Sequence, residues 1–436
     1  MHTRIYALTL AAVLASAAAS AGERGAPTAE CPQGVLTLTI LKPLNNPPTP
    51  AVISAWESRN KCMKIELNEV PFAQLADKIS VLAAAANPPD IVMYDGPYTQ
   101  SYAAAGILLA LDPYLPAGVK EDIVQPTLDE HTYQGKLYSP GTQQTSLALF
   151  YNADMLAALG IEPPREVEKA WTWDQAIEVM KKCQKGEGDN VTVWGLAPSR
   201  FGAGTPGFVY RDMLFVRTHG DPKAAPDSDL YKTYWGLARD GKSAQGWINN
   251  PVAVAGAKYF ADMFNVAKIT PKAGIPNAFQ DRKACFTIDV SYFVSGLTNN
   301  DPGFKWGVTP LPYVRTPIVH TGSITLGVMA KSKHPAEAAK FVIDVSTGQI
   351  AEDYARASRG LPTMKSITAR IEDLKTYPLN IFVEQIARYG HPRPPSPNFA
   401  QYDKIVSDAL RDVAYGSDAK TRLDTAARQV QPILQR

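Results

Sequence analysis

The stretch Asn87-Pro-Pro-Asp-Ile-Val-Met-Tyr-Asp-Gly-Pro-Tyr98 runs a short apolar strand straight into a ring and a carboxylate, Tyr94 and Asp95. Such a pair suits a polar molecule with an apolar face: carboxylate oxygens accept hydrogen bonds, and the ring takes C–H surface. Ligands of open α/β sheets sit outside the carboxyl ends of strands, so both residues are expected to face a crevice. The segment Lys283-Ala-Cys-Phe-Thr-Ile-Asp-Val-Ser-Tyr292 repeats the design and offers Asp289 and Tyr292. Each has a plainer alternative. Asp95-Gly96 is a favoured turn pair, and a tyrosine at a strand end often only packs. Two carboxylates across a cleft also fit an exported glycosidase, with Asp95 and Asp289 in those parts. No His-Glu-x-x-His, Gly-x-Ser-x-Gly or clustered Cys/His pattern supports catalysis, and the six histidines are scattered. Gly202-Ala-Gly-Thr-Pro-Gly207 spells a dinucleotide fingerprint, but Pro198-Ser-Arg-Phe201 precedes it where a strand is needed. It reads as a loop at the cleft mouth, where glycines let backbone approach a ligand.

The elements that must position these residues follow from hydrophobic period and turn signals. Residues 35–41, 63–70, 90–93, 146–151, 283–292, 306–312 and 322–329 read as strands. Residues 49–61, 72–86, 99–105, 153–159, 173–184, 251–264 and 335–345 read as helices, with a short apolar return at 107–112. This alternation predicts an α/β fold. A chain of 436 residues exceeds what one core sustains, so two lobes are expected. Forty-four basic against forty-two acidic side chains leave a formal charge of +2, too little for the electrostatic footprint of a nucleic-acid partner.

Residues 1–21 read as an export signal: Arg4 supplies positive charge, 5–19 is apolar, and Ala19-Ser-Ala21 is a small-residue cleavage site. Cys31 lies too far beyond the apolar run to be a lipid-anchor cysteine, so a free periplasmic protein is expected. Cys31 and Cys62 each stand just before a strand of the first βαβ unit. Neighbouring parallel strands start at the same edge, about 5 Å apart, which places the two thiols within disulfide reach in an oxidising compartment. Cys183 and Cys285 read as small core residues.

The ordered set of Pro-Pro-Asp-Ile-Val-Met-Tyr-Asp, Gly106-Ile-Leu-Leu-Ala-Leu-Asp-Pro-Tyr114, Gly135-Lys-Leu-Tyr138, Leu149-Phe-Tyr-Asn152, Trp171-Thr-Trp-Asp174, Lys283-Ala-Cys-Phe, Trp306-Gly-Val-Thr-Pro-Leu-Pro and Gly360-Leu-Pro362 resembles the extracellular solute-binding proteins of ABC sugar importers. The resemblance spans the mature chain. Two departures stand out: Asp289-Val-Ser-Tyr292 where a Gly-Pro-Trp-like turn is common, and Gln143-Gln144 where a carboxylate is frequent.

The resemblance implies an α/β two-lobed periplasmic-binding-protein fold with several hinge crossings, near 142–147, 309–312 and 360–363. One lobe would combine 31–144 with 310–360, and the other 145–309 with 361–436. It implies a monomer that takes a mono- or oligosaccharide without cofactor or metal and delivers it to a permease in the inner membrane. Matched residue by residue, Tyr94 and Asp95 would come from one lobe, Asp289 and Tyr292 from the other, and Gln143 and Gln144 from the hinge. Gly322 and Ser323 would line the floor, with Trp194, Arg200, Phe201, Tyr210 and Tyr402 as further walls. A cleft rich in Arg200, Arg211 and Arg359 would instead suit a glycerol phosphate ester or another acidic solute, and a polyamine is a further alternative on the same scaffold.

Overall fold

The computed structural model describes residues 24–44, 46–197, 213–394 and 396–435. The export signal expected at 1–21, the glycine-rich loop at 202–207, and Arg200, Phe201, Tyr210 and Arg211 lie outside the described residues.

The first βαβ unit forms where the residue pattern places it. β1 (Leu36–Pro43) is buried along nearly its whole length because both of its faces are covered, which is why it reads as a continuous apolar run. The helix Pro50–Arg59 opens at Thr49, whose hydroxyl accepts from the Val52 N–H, with proline pre-set at the first helical position. β2 (Met63–Val70) runs parallel to β1, from Leu36 opposite Met63 to Pro43 opposite Val70. β3 (Ile91–Asp95) lies parallel on the other side. Asp90 locks this arrangement. Its buried carboxylate accepts from the Thr39 N–H and from the hydroxyls of Thr39 and Ser332.

The other strands among the described residues are β4 (Thr132–Tyr133), β5 (Lys136–Leu137), β6 (Gln143–Asn152), β7 (Trp194–Leu196), β8 (Ala284–Val290), β9 (Trp306–Thr309), β10 (Val319–Val328) and β11 (Gly390–Pro392). The large sheet runs β2-β1-β3-β10-β6-β8-β7, with β11 alongside β10 and β9 alongside β6. β6 begins at Gln143, earlier than the expected 146, because its two halves have different partners. Residues 143–146 pair with β10, and 147–152 pair with β8 and β9. A strand whose first half is held by residues some 180 positions later leaves no local signal there.

Separate cores lie on either side of this crossing. Trp56, Met93, Leu326 and Phe341 fill one beneath the helix Pro335–Thr347. Trp173, Phe215, Phe260 and Phe286 fill another beyond β6, and Phe150, Phe293 and Phe382 cover its opposite face. The helices Gln349–Ser358, Leu379–Tyr389, Phe399–Ala414 and Ala419–Leu434 have no counterpart among the sequence expectations. The last two pack against Pro251–Asn265.

The structure joins Cys31 to Cys62, with Cα atoms 5.4 Å apart. Reading Cys183 and Cys285 as unpaired core residues is corrected: they form a second disulfide, Cα atoms 6.3 Å apart. The helix Trp173–Cys183 packs on β8 and brings its last residue over Cys285, a contact across 102 residues that local pattern does not register.

Candidate functional site

Strand register assembles the candidate site as a row of residues across the sheet. Asp95 stands opposite Ile324, and Ile324 opposite Gln143. Parallel pairing carries the row outward: Leu41 opposite Val92 and Pro43 opposite Val70 put Leu44 level with Asp95 and Pro71. β1, β2 and β3 therefore deliver their carboxyl ends to one edge, and β6 begins at the same level.

Asp95 reaches this edge, but both of its oxygens accept from the Arg393 guanidinium, at 2.8 and 3.0 Å. Arg393 is buried. Burial disfavours its charge, yet Asp95 and Glu130 beside it outweigh that and raise its pKa. Gly322 makes the approach possible, since a Cβ there would fall 2.9 Å from the guanidinium. Gly322 also accepts from the Thr145 hydroxyl through its carbonyl, at 2.8 Å. Ser323 is level with Gln144.

Adjacent residues of a strand point to opposite faces, and that rule corrects several expectations. Tyr94, only 1% exposed, turns away from Asp95 into a core with Leu41, Tyr102 and Leu108, and its hydroxyl meets that of Thr99. Burial raises its pKa. Gln144 is likewise interior: its N–H donates to the Leu361 carbonyl, its side-chain amide donates to the Thr127 hydroxyl, and its side-chain oxygen accepts from the Thr145 N–H. Gln143 takes the other side. Its buried Nε2 has no hydrogen-bond partner among the described residues and lies against Gly360, where a Cβ would come within 1.9 Å.

On β8, Asp289 is 1% exposed, stands opposite Ala148, and accepts from the Val290 N–H. Tyr292 opens the helix Tyr292–Asn299. Its ring is half-buried, and its hydroxyl is buried with no partner among the described residues. Burial pushes its pKa well up. Arg359 is half-buried in the left-handed region at φ 52°, ending the helix Gln349–Ser358 beside Gly360. Two expected walls are elsewhere. Trp194 sits on the terminal strand β7, level with the start of β8 at Ala284, and packs on Ala197 and Ala278. Tyr402 is fully buried between helices, its hydroxyl donating to the Gly236 carbonyl.

Sequence reasoning passed over four residues. Arg393 stands in the proline-rich run His391-Pro-Arg-Pro-Pro, a signal for a fixed irregular segment. Leu44 and Phe72 follow β1 and β2 at the same kind of strand end that singled out Asp95. Trp235 ends the helix Asp229–Trp235 with the Arg239 guanidinium 3.8 Å above its ring and the His391 ring 5.0 Å away.

His131 and His391 give the molecule a pH dependence. Burial pushes both down to about 3, helped at His391 by Arg217 and Arg239. The unfolded chain then binds more protons than the folded one between pH ~6.5 and ~3, so stability falls as pH drops through that window. Urea unfolding at stepped pH should show a loss of about 1.4 kcal/mol per pH unit for each histidine, and His131→Gln should roughly halve the slope near pH 5.

A model of the family described as bacterial extracellular solute-binding protein matches residues 43–343. The chain belongs to that family. Among curated relatives, the multiple sugar-binding protein of Streptococcus mutans is 24% identical over 331 residues, 70% of this chain and 69% of the relative. The maltotriose-binding protein of Pyrococcus abyssi is 21% identical over 375 residues, 82% of this chain and 73% of the relative. Among solved structures, an ABC transporter solute-binding protein from Thermotoga lettingae bound with α-D-tagatose superposes with a TM-score of 0.75 at 19% identity, over 91% of this chain and 99% of that one. An ABC substrate-binding protein from Listeria monocytogenes in complex with cycloalternan gives 0.75 at 17% identity, over 91% and 98%. These likenesses show the two-lobed α/β fold that the sequence led us to expect.

Proposed function

We propose that this solute-binding protein captures a neutral carbohydrate between its two lobes and delivers it, unmodified, to an ABC importer. The lobes follow the division 31–144 with 310–360 and 145–309 with 361–436, and the change of partners along β6, between residues 146 and 147, falls two residues past the first boundary. Closure around the solute would be driven by preferential binding to the closed form.

One observation carries the reading: among the described residues, the charges of Lys42 and Asp95 at the candidate edge are already matched within the protein. Lys42 is paired with Glu69 at 2.6 Å, and Asp95 with Arg393. What remains for a ligand are the amide of Gln143, the hydroxyl of Tyr292 and apolar side chains, the set that an uncharged polyol with C–H faces requires. A polyamine needs free carboxylates, and a phosphate ester needs free guanidinium groups. Asp95, clamped by Arg393, and Asp289, inside β8, are also poorly placed as the carboxylate pair of a glycosidase. The sugars in the names of the relatives point the same way. Residence in the periplasm, a monomeric state and docking on an inner-membrane permease belong to this reading.

Mature protein mixed with neutral saccharides should unfold at higher temperature, by the equivalent of about 2.7 kcal/mol at a hundredfold excess over Kd, and chromatography should return the sugar intact. Stabilisation by spermidine or glycerol phosphate, with none by saccharides, would overturn the proposal, and recovery of cleaved glycan would favour the enzyme.

A further inference from the structure

Asn190-Val-Thr192 is the one Asn-x-Thr or Asn-x-Ser triplet in the chain. A single such triplet arises readily by chance, and its placement is what distinguishes this one. It lies on a loop that the fold closes at its base and turns outward. Lys185 and Val193 form an antiparallel bridge, the Lys185 N–H donating to the Val193 carbonyl at 2.8 Å and the Thr192 N–H to the Lys185 carbonyl at 2.9 Å. Both ends are held in the core: Cys183 is bonded to Cys285, and Val193 is buried in the same cluster with Phe286.

Between these anchors the chain reverses through glycine. Gly186 and Gly188 both have left-handed backbone, φ 88° and 57°, and a Cβ on Gly186 would fall 2.2 Å from the Asn190 carbonyl oxygen. The 3-10 turn Gly188–Asn190 that results leaves Asn190 and Thr192 both exposed. Other asparagines commit their side-chain amides to backbone carbonyls: Asn60 to Trp56, Asn265 to Ala261 and Ala414, Asn398 to Ile433. The Asn190 amide donates to none of the described residues, and the Thr192 hydroxyl makes only a long contact, 3.4 Å, with the Lys185 carbonyl.

The loop also stands clear of the lobe crossing. β7 follows it at the terminal position of the sheet, and Trp194 is level with Ala284, the first residue of β8. The far end of β8, Val290, pairs with Leu147 at the crossing, roughly 20 Å away at about 3.3 Å per residue. We propose that Asn190 is a glycan-acceptor site, modified after export on a face that lobe closure does not use. The donor is a polyprenyl-diphosphate-linked saccharide. The Asn190 Nδ2 bonds to the anomeric carbon, the anomeric C–O bond breaks, the diphosphate leaves with that electron pair, and the amide gives up one proton. Thr192 supplies the hydroxyl that an acceptor triplet presents two residues beyond its asparagine. The proposal rests on the reading of an exported chain and not on what the cleft binds.

Incubating the purified, disulfide-intact mature chain with a single-subunit oligosaccharyltransferase that needs only Asn-x-Thr, and with its lipid-linked glycan, tests the site, and peptide mass spectrometry reads it. The wild type should gain one glycan, on the peptide that holds Asn190. Asn190→Gln and Thr192→Val should lose the modification, and Thr192→Ser should retain it. Both positions are exposed, so all three variants should keep the thermal midpoint of the parent. A wild type left unmodified, or transfer that persists in Thr192→Val, would overturn the proposal. Chain isolated from its own cells supplies a second arm: a glycosylated Asn190 supports the proposal, and signal-cleaved chain with a bare Asn190 overturns it. Chain that keeps residues 1–21 and stays inside the cell overturns it too, by removing the export reading beneath it, while the carbohydrate-binding reading is untouched by transfer in vitro.

Discussion

A Cys183→Ala/Cys285→Ala double variant should unfold at a free energy about 4–5 kcal/mol below the parent, and Cys31→Ala/Cys62→Ala about 3–4 kcal/mol below. The order follows from chain statistics. The Cys183–Cys285 bridge closes a loop of 102 residues and the Cys31–Cys62 bridge one of 31, so opening the former releases more unfolded-state entropy. Location adds to the difference. Cys183 and Cys285 lie in the core with Trp173, Phe260 and Phe286, where lost volume leaves a cavity, whereas Cys62 is at the surface. Urea unfolding of both variants beside the oxidised parent provides the check. A greater loss for the Cys31–Cys62 variant would mean that neither loop length nor the cavity left in the core sets the scale.

Asp95→Ala should be destabilising by about 3–5 kcal/mol, because it strands the Arg393 guanidinium in a buried position. The paired replacement Asp95→Asn/Arg393→Met should lose clearly less, since removing both charges removes the desolvation problem along with the attraction. Denaturant titration of Asp95→Asn, Arg393→Met and the double variant gives the coupling energy directly. If the double variant is as unstable as the sum of the singles, Asp95 and Arg393 act independently, and Asp95 regains its place as a ligand contact. The same variants bear on binding: with Asp95 committed to Arg393, Asp95→Asn in a folded protein should leave sugar affinity nearly unchanged.

The parts of this fold that could be read from the residues were those whose signal is local. The βαβ unit of β1, Pro50–Arg59 and β2 announced itself through an apolar run, a Thr-Pro helix start and a second strand, and it formed within a residue or two of the expected limits. The strand-end rule singled out Asp95, which does stand at the carboxyl end of β3. It failed for Tyr94 because alternation sends neighbours to opposite faces, and in a sheet covered on both sides the wrong face is a core. The same rule separated Gln143 from Gln144. Tyr402 was misplaced because its helix, Phe399–Ala414, carries an amphipathic pattern that was not read, and the buried stripe includes the tyrosine. Arg393 and the Cys183–Cys285 bond depend on contacts 298 and 102 residues apart, and nothing near either residue records its partner.

β6 is fastened on both margins: residues 149–151 lie between β8 and β9, and Gln144 lies between β10 and Leu361. A ribbon stitched along two seams cannot swivel freely about one bond. It flexes as a leaf spring does, with small torsions spread over many peptide units and every rung kept. Opening and shutting of the molecule should thus leave the amide protons of this strand sheltered throughout the cycle, and the slowest-exchanging part of the receptor should be the part that bends.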